Sequence, residues 1–150
     1  MTPLNFIPAV GNMPFTDLQT ELLSIAHELG RTKFAPRAAK WDAEASFPFA
    51  NYEDLRTAGL LRMCVPQAHG GLGADYATYM MVAAEIGRFC GTTALTFNMH
   101  ICSTMWTGVL ADGIPMTDAE RDEHSRRRQV HFARVVEKGA VYAQPFSEGS

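Results

Sequence analysis

A proline-free stretch of the chain, residues 67–114, constrains the fold more than any other feature of the sequence. Proline interrupts helices, so this stretch can hold long uninterrupted ones. Apolar residues recur in it at intervals of three and four, as they do on one face of a helix. The pattern predicts one helix that starts near Asp75 and a second over residues 92–110. Their apolar stripes are Tyr79, Val82, Ala83, Ile86 and Phe89 in the first, and Leu95, Met99, Cys102, Trp106 and Val109 in the second.

Capping signals predict further helices on either side of this stretch. Thr16-Asp-Leu-Gln19 and Thr117-Asp-Ala-Glu120 both have the spacing of a capping box, in which two side chains satisfy free backbone N–H groups. Pro36 is expected either to kink the first of these helices or to open a new turn. Asn51 is expected to cap a short helix that stops at Gly59. The sequence therefore predicts a mainly α-helical chain.

Two segments are predicted to be extended. Pro66 disfavours helix at the residue before it, so residues 60–65 are expected to be extended. Residues 141–146 follow Gly139 and have the composition of a strand. A lone strand leaves backbone groups unpaired, so we expect a sheet to begin there. The predicted organisation is an N-terminal arm over residues 1–15, a helical domain over residues 16–139, and the start of a β domain over residues 140–150.

Composition and charge exclude several classes of protein. The chain has 150 residues, of which 47% are hydrophobic, enough for a core and too many for a disordered chain. Its net charge of −3 disfavours nucleic-acid binding, and residues 79–84, its longest apolar run, cannot span a membrane. Only 19% of the residues are charged, so we expect a partner to cover part of the surface.

Cysteine and histidine spacings give no metal site. The cysteines number three, with no Cys-x-x-Cys pair, which is typical of reduced thiols in a cytoplasmic protein. His100 has two interpretations. A core histidine with one hydrogen-bond partner is the more common arrangement, and a substrate-facing pair of Asn98 and His100 is the alternative.

Other motifs favour ordinary structural roles. Arg126 to Arg128 could bind an anion, but a solvated helix face paired with Asp122 and Glu123 is more common. Gly70-Gly-Leu-Gly73 lacks the spacing of a dinucleotide-binding loop and is interpreted as a connecting turn. No histidine and aspartate are placed to activate Ser147 as a nucleophile, so the residues alone predict no catalytic group.

Four segments occur in a characteristic order along the chain. They are Phe34-Ala-Pro-Arg-Ala-Ala-Lys-Trp-Asp42 with Phe47-Pro48; Leu55-x-x-x-Gly59-Leu60 running into Val65-Pro66 and Gly70-Gly71-x-Gly73; Ala83-Ala-Glu85-Ile-Gly87; and Tyr142-Ala-Gln-Pro-Phe-Ser-Glu148. Together, over about residues 18–150, they resemble the N-terminal part of the acyl-CoA dehydrogenase family. The resemblance implies a helical N-terminal domain, a β-barrel-like middle domain and a C-terminal four-helix bundle. This chain would hold the first domain and one strand of the second.

The resemblance also implies a function. Family members use FAD to oxidise the Cα–Cβ bond of an acyl-CoA thioester, with a carboxylate base from the later domains, so no catalytic residue is assigned here. It implies a homotetramer, with an electron-transfer flavoprotein or a flavin reductase as redox partner. The residues that match the family's flavin-binding strand are Gln144, Phe146 and Ser147. The residues that match the wall of its acyl pocket are Leu95, Asn98, Met99 and Cys102.

The chain departs from the family pattern in two places. Glu148-Gly149-Ser150 stands where Glu-Pro-Gly is usual, and the segment between Gly113 and Gly139 is longer than usual and lacks Trp-Leu-Pro. Two alternatives therefore stay open: a flavin-dependent monooxygenase of the same fold, and a non-catalytic helical interaction subunit. On any of these readings, the chain alone is expected to expose apolar surface on residues 141–146 and on one face of the Leu95 helix.

Overall fold

The computed structural model of the chain describes residues 14–143, which contain helices and no strand. The mainly α-helical prediction is confirmed. The α-helices of this part of the chain are α1 (Asp17–Leu29), α2 (Ala35–Ala43), α3 (Phe49–Thr57), α4 (Tyr76–Gly87), α5 (Gly91–Thr107), α6 (Val109–Asp112) and α7 (Asp118–Lys138). A π-helical segment (Gly30–Phe34) and two 3-10 turns (Leu60–Arg62 and Gln67–His69) connect some of them.

Both predicted capping boxes are present. The backbone N–H of Gln19 donates to Thr16 Oγ1 at 3.2 Å, and Gln19 Oε1 accepts from the Thr16 N–H at 3.0 Å. Thr117 and Glu120 exchange the same two bonds at the start of α7. At the start of α4, Asp75 Oδ1 accepts from the backbone three residues later at 2.8 Å, so the predicted cap there is also confirmed.

Helices α1 and α2 form a nearly continuous rod with a π-helical segment between them. The Ala35 N–H donates to the Gly30 carbonyl oxygen, five residues back. Pro36 is the second residue of α2, directly after the π-helical segment, and the backbone of Phe34 and Ala35 before it is helical. Of the two expectations for Pro36, a new helical segment therefore opens there, and no non-helical residue separates it from the segment before it.

The prediction that Asn51 caps a helix is wrong. Helix α3 begins two residues earlier, after Pro48, and Asn51 is fully buried inside it. Its Nδ2 donates to Thr93 Oγ1 at 2.9 Å, and its Oδ1 accepts from Arg37 Nη1 at 3.1 Å. The side chain that looks like a cap instead joins α3 to α2 and α5.

The prediction that residues 60–65 are extended is also wrong. Gly59 has φ 77°, a left-handed conformation that glycine adopts without strain, and it turns the chain back at the end of α3. Leu60–Arg62 then forms a 3-10 turn, and Leu60 and Leu61 are buried. The turn places the Leu61 carbonyl oxygen against α5, where it accepts a hydrogen bond described below.

The long helix predicted over residues 92–110 is divided in two at Gly108. A Cβ atom there would lie 2.8 Å from the Thr104 carbonyl oxygen and 3.5 Å from the Phe132 ring. The overlap with the Thr104 carbonyl oxygen of α5 therefore favours glycine at this position, whereas the Phe132 ring of α7 would lie at an ordinary van der Waals distance. Gly108 has a non-helical backbone (φ −100°, ψ −118°), so α6 starts as a separate helix after it.

Residues 141–143 do not form the strand that the sequence predicts, because no other strand lies beside them in the described part of the chain. The rest of that strand, residues 144–146, lies outside the described residues, as does most of the predicted arm. Helix α7 ends at Gly139, which has φ 62°. The domain boundary between residues 139 and 140 stays a prediction.

The main core lies between α1, α3, α4 and α5. Helix α1 packs on α4, which packs on α5, and their fully buried side chains include Leu22, Leu55, Ile86, Phe97 and Ile101. A second, smaller cluster of Val65, Phe132 and Val135 attaches α7 to this body. Among residues 14–143, no helix combines the length and apolarity needed to cross a membrane.

Arg126, Arg127 and Arg128 of α7 are ion-paired, as the solvated-face interpretation predicts. Glu123 accepts a hydrogen bond from Arg127 Nε at 2.6 Å and also forms an ion pair with Arg126. The sequence spacing had instead predicted Asp122 as the partner of Arg126. Arg128 Nη1 lies 2.5 Å from Asp112 Oδ1. The two exposed pairs with Glu123 contribute little to stability, and the three arginines of the predicted anion cluster are all engaged with carboxylates.

A substitution in the glycine turn tests this packing. A Cβ atom at Gly71 would lie 1.9 Å from the Val65 carbonyl oxygen, which already accepts from the Gly73 N–H at 3.0 Å. Because backbone must move to relieve this overlap, Gly71→Ala should lower the free energy of unfolding by about 1–3 kcal/mol in urea denaturation.

Gly91→Ala is the matched control. A Cβ atom at Gly91 meets nothing within 4 Å, and the residue opens α5, so its unfolding free energy should be unchanged or slightly raised. Equal losses in the two variants would contradict this description of the turn.

Candidate functional site

Helix α5 has an unusual distribution of side chains. Its inward side buries Phe97, Ile101 and Met105 together with a set of polar residues: Thr93, His100, Ser103 and Thr104. Its outward side carries the apolar stripe predicted from the sequence, with Leu95 64% and Trp106 47% exposed. The stripe is therefore a surface feature of the described chain, and the expectation of an exposed apolar face on this helix is confirmed.

The outward side brings the predicted substrate-wall residues together. Leu95, Asn98, Met99 and Cys102 follow one another at intervals of three, one and three residues, which places them on neighbouring turns of one helical face. Leu95 and Met99 are exposed, whereas Asn98 and Cys102 are half-buried at the edge towards α4. The described structure contains no ligand, so their role stays a prediction.

Tyr79 of α4 fixes the orientation of Asn98, the polar side chain among these four residues. Its hydroxyl donates to Asn98 Oδ1 at 2.9 Å and lies 4.0 Å from Cys102 Sγ. Burial, and then the neighbouring Cys102, raise the pKa of Tyr79, so the hydroxyl keeps its proton and donates it to the hydrogen bond. Asn98 Nδ2 has no hydrogen-bond partner within residues 14–143. The amide is thus held in one orientation with its donor group available.

A groove continues from Met99 towards the end of the described chain. Phe47, Tyr52, Thr96 and Met99 form its walls with residues 141–143, and its volume is about 190 Å³. Its surface is almost entirely apolar, because side chains such as Phe47, Met99 and Val141 line it. Phe47 and Val141 are both partly exposed there. Residues 141–143 therefore lie directly against α5.

His100 is a core residue, and the alternative of a substrate-facing pair with Asn98 is wrong. It is fully buried, with Nε2 2.7 Å from the Leu61 carbonyl oxygen. It has a second partner, because the Tyr142 N–H donates to Nδ1 at 3.2 Å. Burial lowers the pKa of His100, and the nearby positive charges of His131 and Arg56 lower it further, although the Leu61 bond acts the other way.

The predicted cofactor residues, Gln144, Phe146 and Ser147, lie outside the described residues. The chain that leads to them starts at residue 143, beside the groove and α5. Sequence analysis placed Phe47 and Tyr142 in family-like segments without a contact to α5, and it gave His131 no role. These contacts arise only through the fold, since Tyr142 is 42 positions from His100.

The buried reactive groups are engaged in structural contacts. Glu85, fully buried, lies 2.7 Å from His27 Nδ1 and 2.9 Å from Arg88 Nη1, so it joins α4 to α1. Burial raises the pKa of Cys64 to about 12, and a thiol in that state is a poor nucleophile. Within residues 14–143 no three histidine, cysteine or carboxylate side chains are grouped as metal ligands would be.

Comparison with known proteins identifies the fold. The family model described as "Acyl-CoA dehydrogenase, N-terminal domain" matches residues 16–114. This range covers α1 to α6, including the candidate surface of α5. The chain therefore belongs to the acyl-CoA dehydrogenase family, as the sequence resemblance implies.

Three relatives that are between a third and two fifths identical to the chain illustrate the family. Cyclohex-1-ene-1-carbonyl-CoA dehydrogenase of Syntrophus aciditrophicus is 39% identical over 100 residues, which is 67% of this chain and 24% of that protein. 3-Sulfinopropanoyl-CoA desulfinase of Variovorax paradoxus is 40% identical over 77 residues, 51% of this chain and 19% of that protein. Human mitochondrial short-chain specific acyl-CoA dehydrogenase is 34% identical over 79 residues, which is 53% of this chain and 19% of that protein. The chain thus spans a fifth to a quarter of these relatives.

Dye binding tests the exposed face of α5. The double variant Leu95→Gln, Met99→Gln should reduce the fluorescence of bound anilinonaphthalene sulfonate, because it removes the apolar surface that the dye occupies. Its free energy of unfolding should stay within about 0.5 kcal/mol of the wild type, since both side chains are exposed.

Val130→Gln serves as the control, because Val130 is 57% exposed on α7, away from this face. It should leave dye fluorescence unchanged. An equal reduction in the control and the double variant would contradict the assignment of the apolar patch to α5.

Proposed function

We propose that this chain is the helical, substrate-facing part of an FAD-dependent acyl-CoA dehydrogenase that oxidises the Cα–Cβ bond of an acyl-CoA thioester. The observation that carries the proposal is the outward face of α5, apolar and exposed, in a chain that belongs to this family. An aliphatic acyl chain needs such a surface, because each buried methylene group contributes about 0.8 kcal/mol.

The proposed roles of the substrate residues follow from their surroundings. Leu95, Met99 and Cys102 would contact the acyl chain and exclude water from it. Asn98, whose orientation Tyr79 fixes at 2.9 Å, would offer its Nδ2 donor to a polar group of the substrate or to bound water. A donor held in place before binding loses little entropy when the ligand arrives.

FAD, when bound, would accept the hydride from the β carbon. Gln144, Phe146 and Ser147 are proposed to hold its ring, since an amide, backbone groups and a hydroxyl suit the polar edge of a flavin. Supporting this, residues 141–143 lie against α5, so a ring held just beyond them would lie near the acyl face. No catalytic base is assigned to this chain, because the one fully buried carboxylate among residues 14–143, Glu85, is paired with His27 and Arg88.

A second candidate reaction is desulfination. Two relatives, 40% and 35% identical over 77 residues, are named 3-sulfinopropanoyl-CoA desulfinase. The desulfinases and the dehydrogenases are all named for CoA thioester substrates, but they are named for different reactions. The acyl-CoA substrate class therefore has broader support than dehydrogenation itself. No observation on the described residues favours the monooxygenase or the non-catalytic subunit over these two.

The proposal extends to assembly and environment. As the family resemblance implies, the complete protein would be a homotetramer that passes electrons to an electron-transfer flavoprotein. A cytoplasmic location is consistent with Cys64, Cys90 and Cys102, which are all free thiols.

Anaerobic titration separates the two candidate reactions. The protein, expressed from its complete reading frame, should purify with flavin absorbance that bleaches when saturated acyl-CoA thioesters are added, because oxidation of the substrate reduces the flavin. Sulfite release from 3-sulfinopropanoyl-CoA without bleaching by saturated acyl-CoA would favour the desulfinase. A colourless protein that cannot be reconstituted with FAD would overturn both.

A bulky side chain on α5 should change the acyl-chain preference. Leu95→Trp is expected to lower kcat/KM by about tenfold or more for the longest acyl-CoA accepted, and to leave the shortest unaffected, because one methylene of pocket space is worth about 1–3 kcal/mol. The control is Val130→Trp on α7, which should not change the profile. If kcat/KM depended on acyl-chain length in the same way in the wild type, Leu95→Trp and Val130→Trp, this would argue against an acyl site on α5.

A further inference from the structure

The segment that leaves α7 is fastened to the helical body at two points. Arg56 Nη2 donates to the Gly139 carbonyl oxygen at 2.8 Å, just where the chain turns. Three residues later the Tyr142 N–H donates to His100 Nδ1 at 3.2 Å. The Tyr142 ring also stacks on His131, with ring centroids 4.2 Å apart and planes 29° from parallel. These contacts fix where the chain passes before it reaches Gln144.

The hydrogen bonds of His100 define its protonation state. Nε2 lies 2.7 Å from the Leu61 carbonyl oxygen, which can only accept, so Nε2 must carry a proton. Nδ1 faces the Tyr142 N–H, which can only donate, so Nδ1 must be bare. The neutral imidazole with its proton on Nε2 is the one form that satisfies both partners. A second proton, on Nδ1, would set two N–H groups against each other inside the protein.

We propose that His100 is a positioning residue that docks residues 141–143 on α5 only while its imidazole is neutral, and that protonation of His100 releases this segment. The docking is independent of the proposed function. The expected effect of release on flavin binding does rest on the proposed function. The released segment leads directly into Gln144, Phe146 and Ser147, so release would weaken flavin binding.

The surroundings of His100 set the pH at which this occurs. Beside it lie Arg56 of α3, which is paired with Glu53, and His131 of α7, whose Nε2 is 3.3 Å from Ser103 Oγ. Burial is the main influence that lowers the pKa of His100, and repulsion from a protonated His131 and from Arg56 reinforces it. Burial also lowers the pKa of His131. Release is therefore expected below the usual histidine pKa of 6.5, and the docked state should persist at neutral pH.

Amide hydrogen exchange at Tyr142 measures the docking directly. In the 150-residue chain, we expect its protection factor, corrected for intrinsic exchange, to fall about tenfold per pH unit once the pH drops below the pKa of His100 in the released state, and to level off below the lower pKa of the docked state, because only the neutral imidazole can accept the bond. The amides of Gly139 and Ala140 are internal controls, since they bond to the Val135 and Arg134 carbonyl oxygens at 3.1 and 2.9 Å. They should stay protected over the same pH range.

Two variants separate the bonds of His100. His100→Asn places an acceptor oxygen where Nδ1 lies and does not titrate, so Tyr142 protection should persist at acid pH. His100→Gln can reach Leu61 as Nε2 does but lacks the acceptor for Tyr142, so protection should be low at every pH. Long-range proton–nitrogen correlation of the wild-type imidazole should show the proton on Nε2 at neutral pH.

Two results would overturn the proposal. One is a proton on Nδ1 at neutral pH, and this measurement needs no variant to fold. The other is simultaneous acid loss of protection at Tyr142, Gly139 and Ala140, which would indicate general unfolding. None of these measurements requires flavin, so Tyr142 docking together with a full-length protein that takes up no FAD would reject the proposed function and leave the role of His100 standing.

Discussion

The structure depends on the requirement that helix α5 satisfy polar side chains inside the protein. Thr93, His100 and Ser103 all lie on its buried side, and a buried polar group is costly without a hydrogen bond. Each therefore bonds to a different part of the fold: Asn51 in α3, the Leu61 carbonyl oxygen, and His131 in α7. These bonds fix the rotation of α5 about its axis more strictly than apolar packing alone, because hydrogen bonds are directional.

The fixed rotation has a consequence for the outer side of the helix. Because the polar residues point inwards, Leu95, Met99 and Trp106 lie exposed on the surface of α5. The same helix therefore joins α3, α7 and residues 141–143, and presents an apolar face beside them. A face held this rigidly can bind an acyl chain with little loss of conformational entropy.

Local features of the fold were predictable from the sequence, and long-range polar contacts were not. The caps at Thr16, Asp75 and Thr117 depend on residues three positions away, so their spacing is visible in the sequence. Asn51 and Thr93 are 42 positions apart, and no periodicity connects them. Periodicity identified the stripe on α5, but it cannot tell an inward stripe from an outward one. The substrate-wall residues came from family resemblance, and the structure supplied their partner, Tyr79.

The central claim is that the outward face of α5 contacts the acyl chain of a CoA thioester. A crystal structure of the protein expressed from its complete reading frame, with a non-reactive acyl-CoA analogue bound, tests it most directly. Acyl carbons are expected within about 4 Å of Leu95 and Met99. An acyl chain bound elsewhere, with these two side chains covered by another part of the protein or by a second subunit, would contradict it.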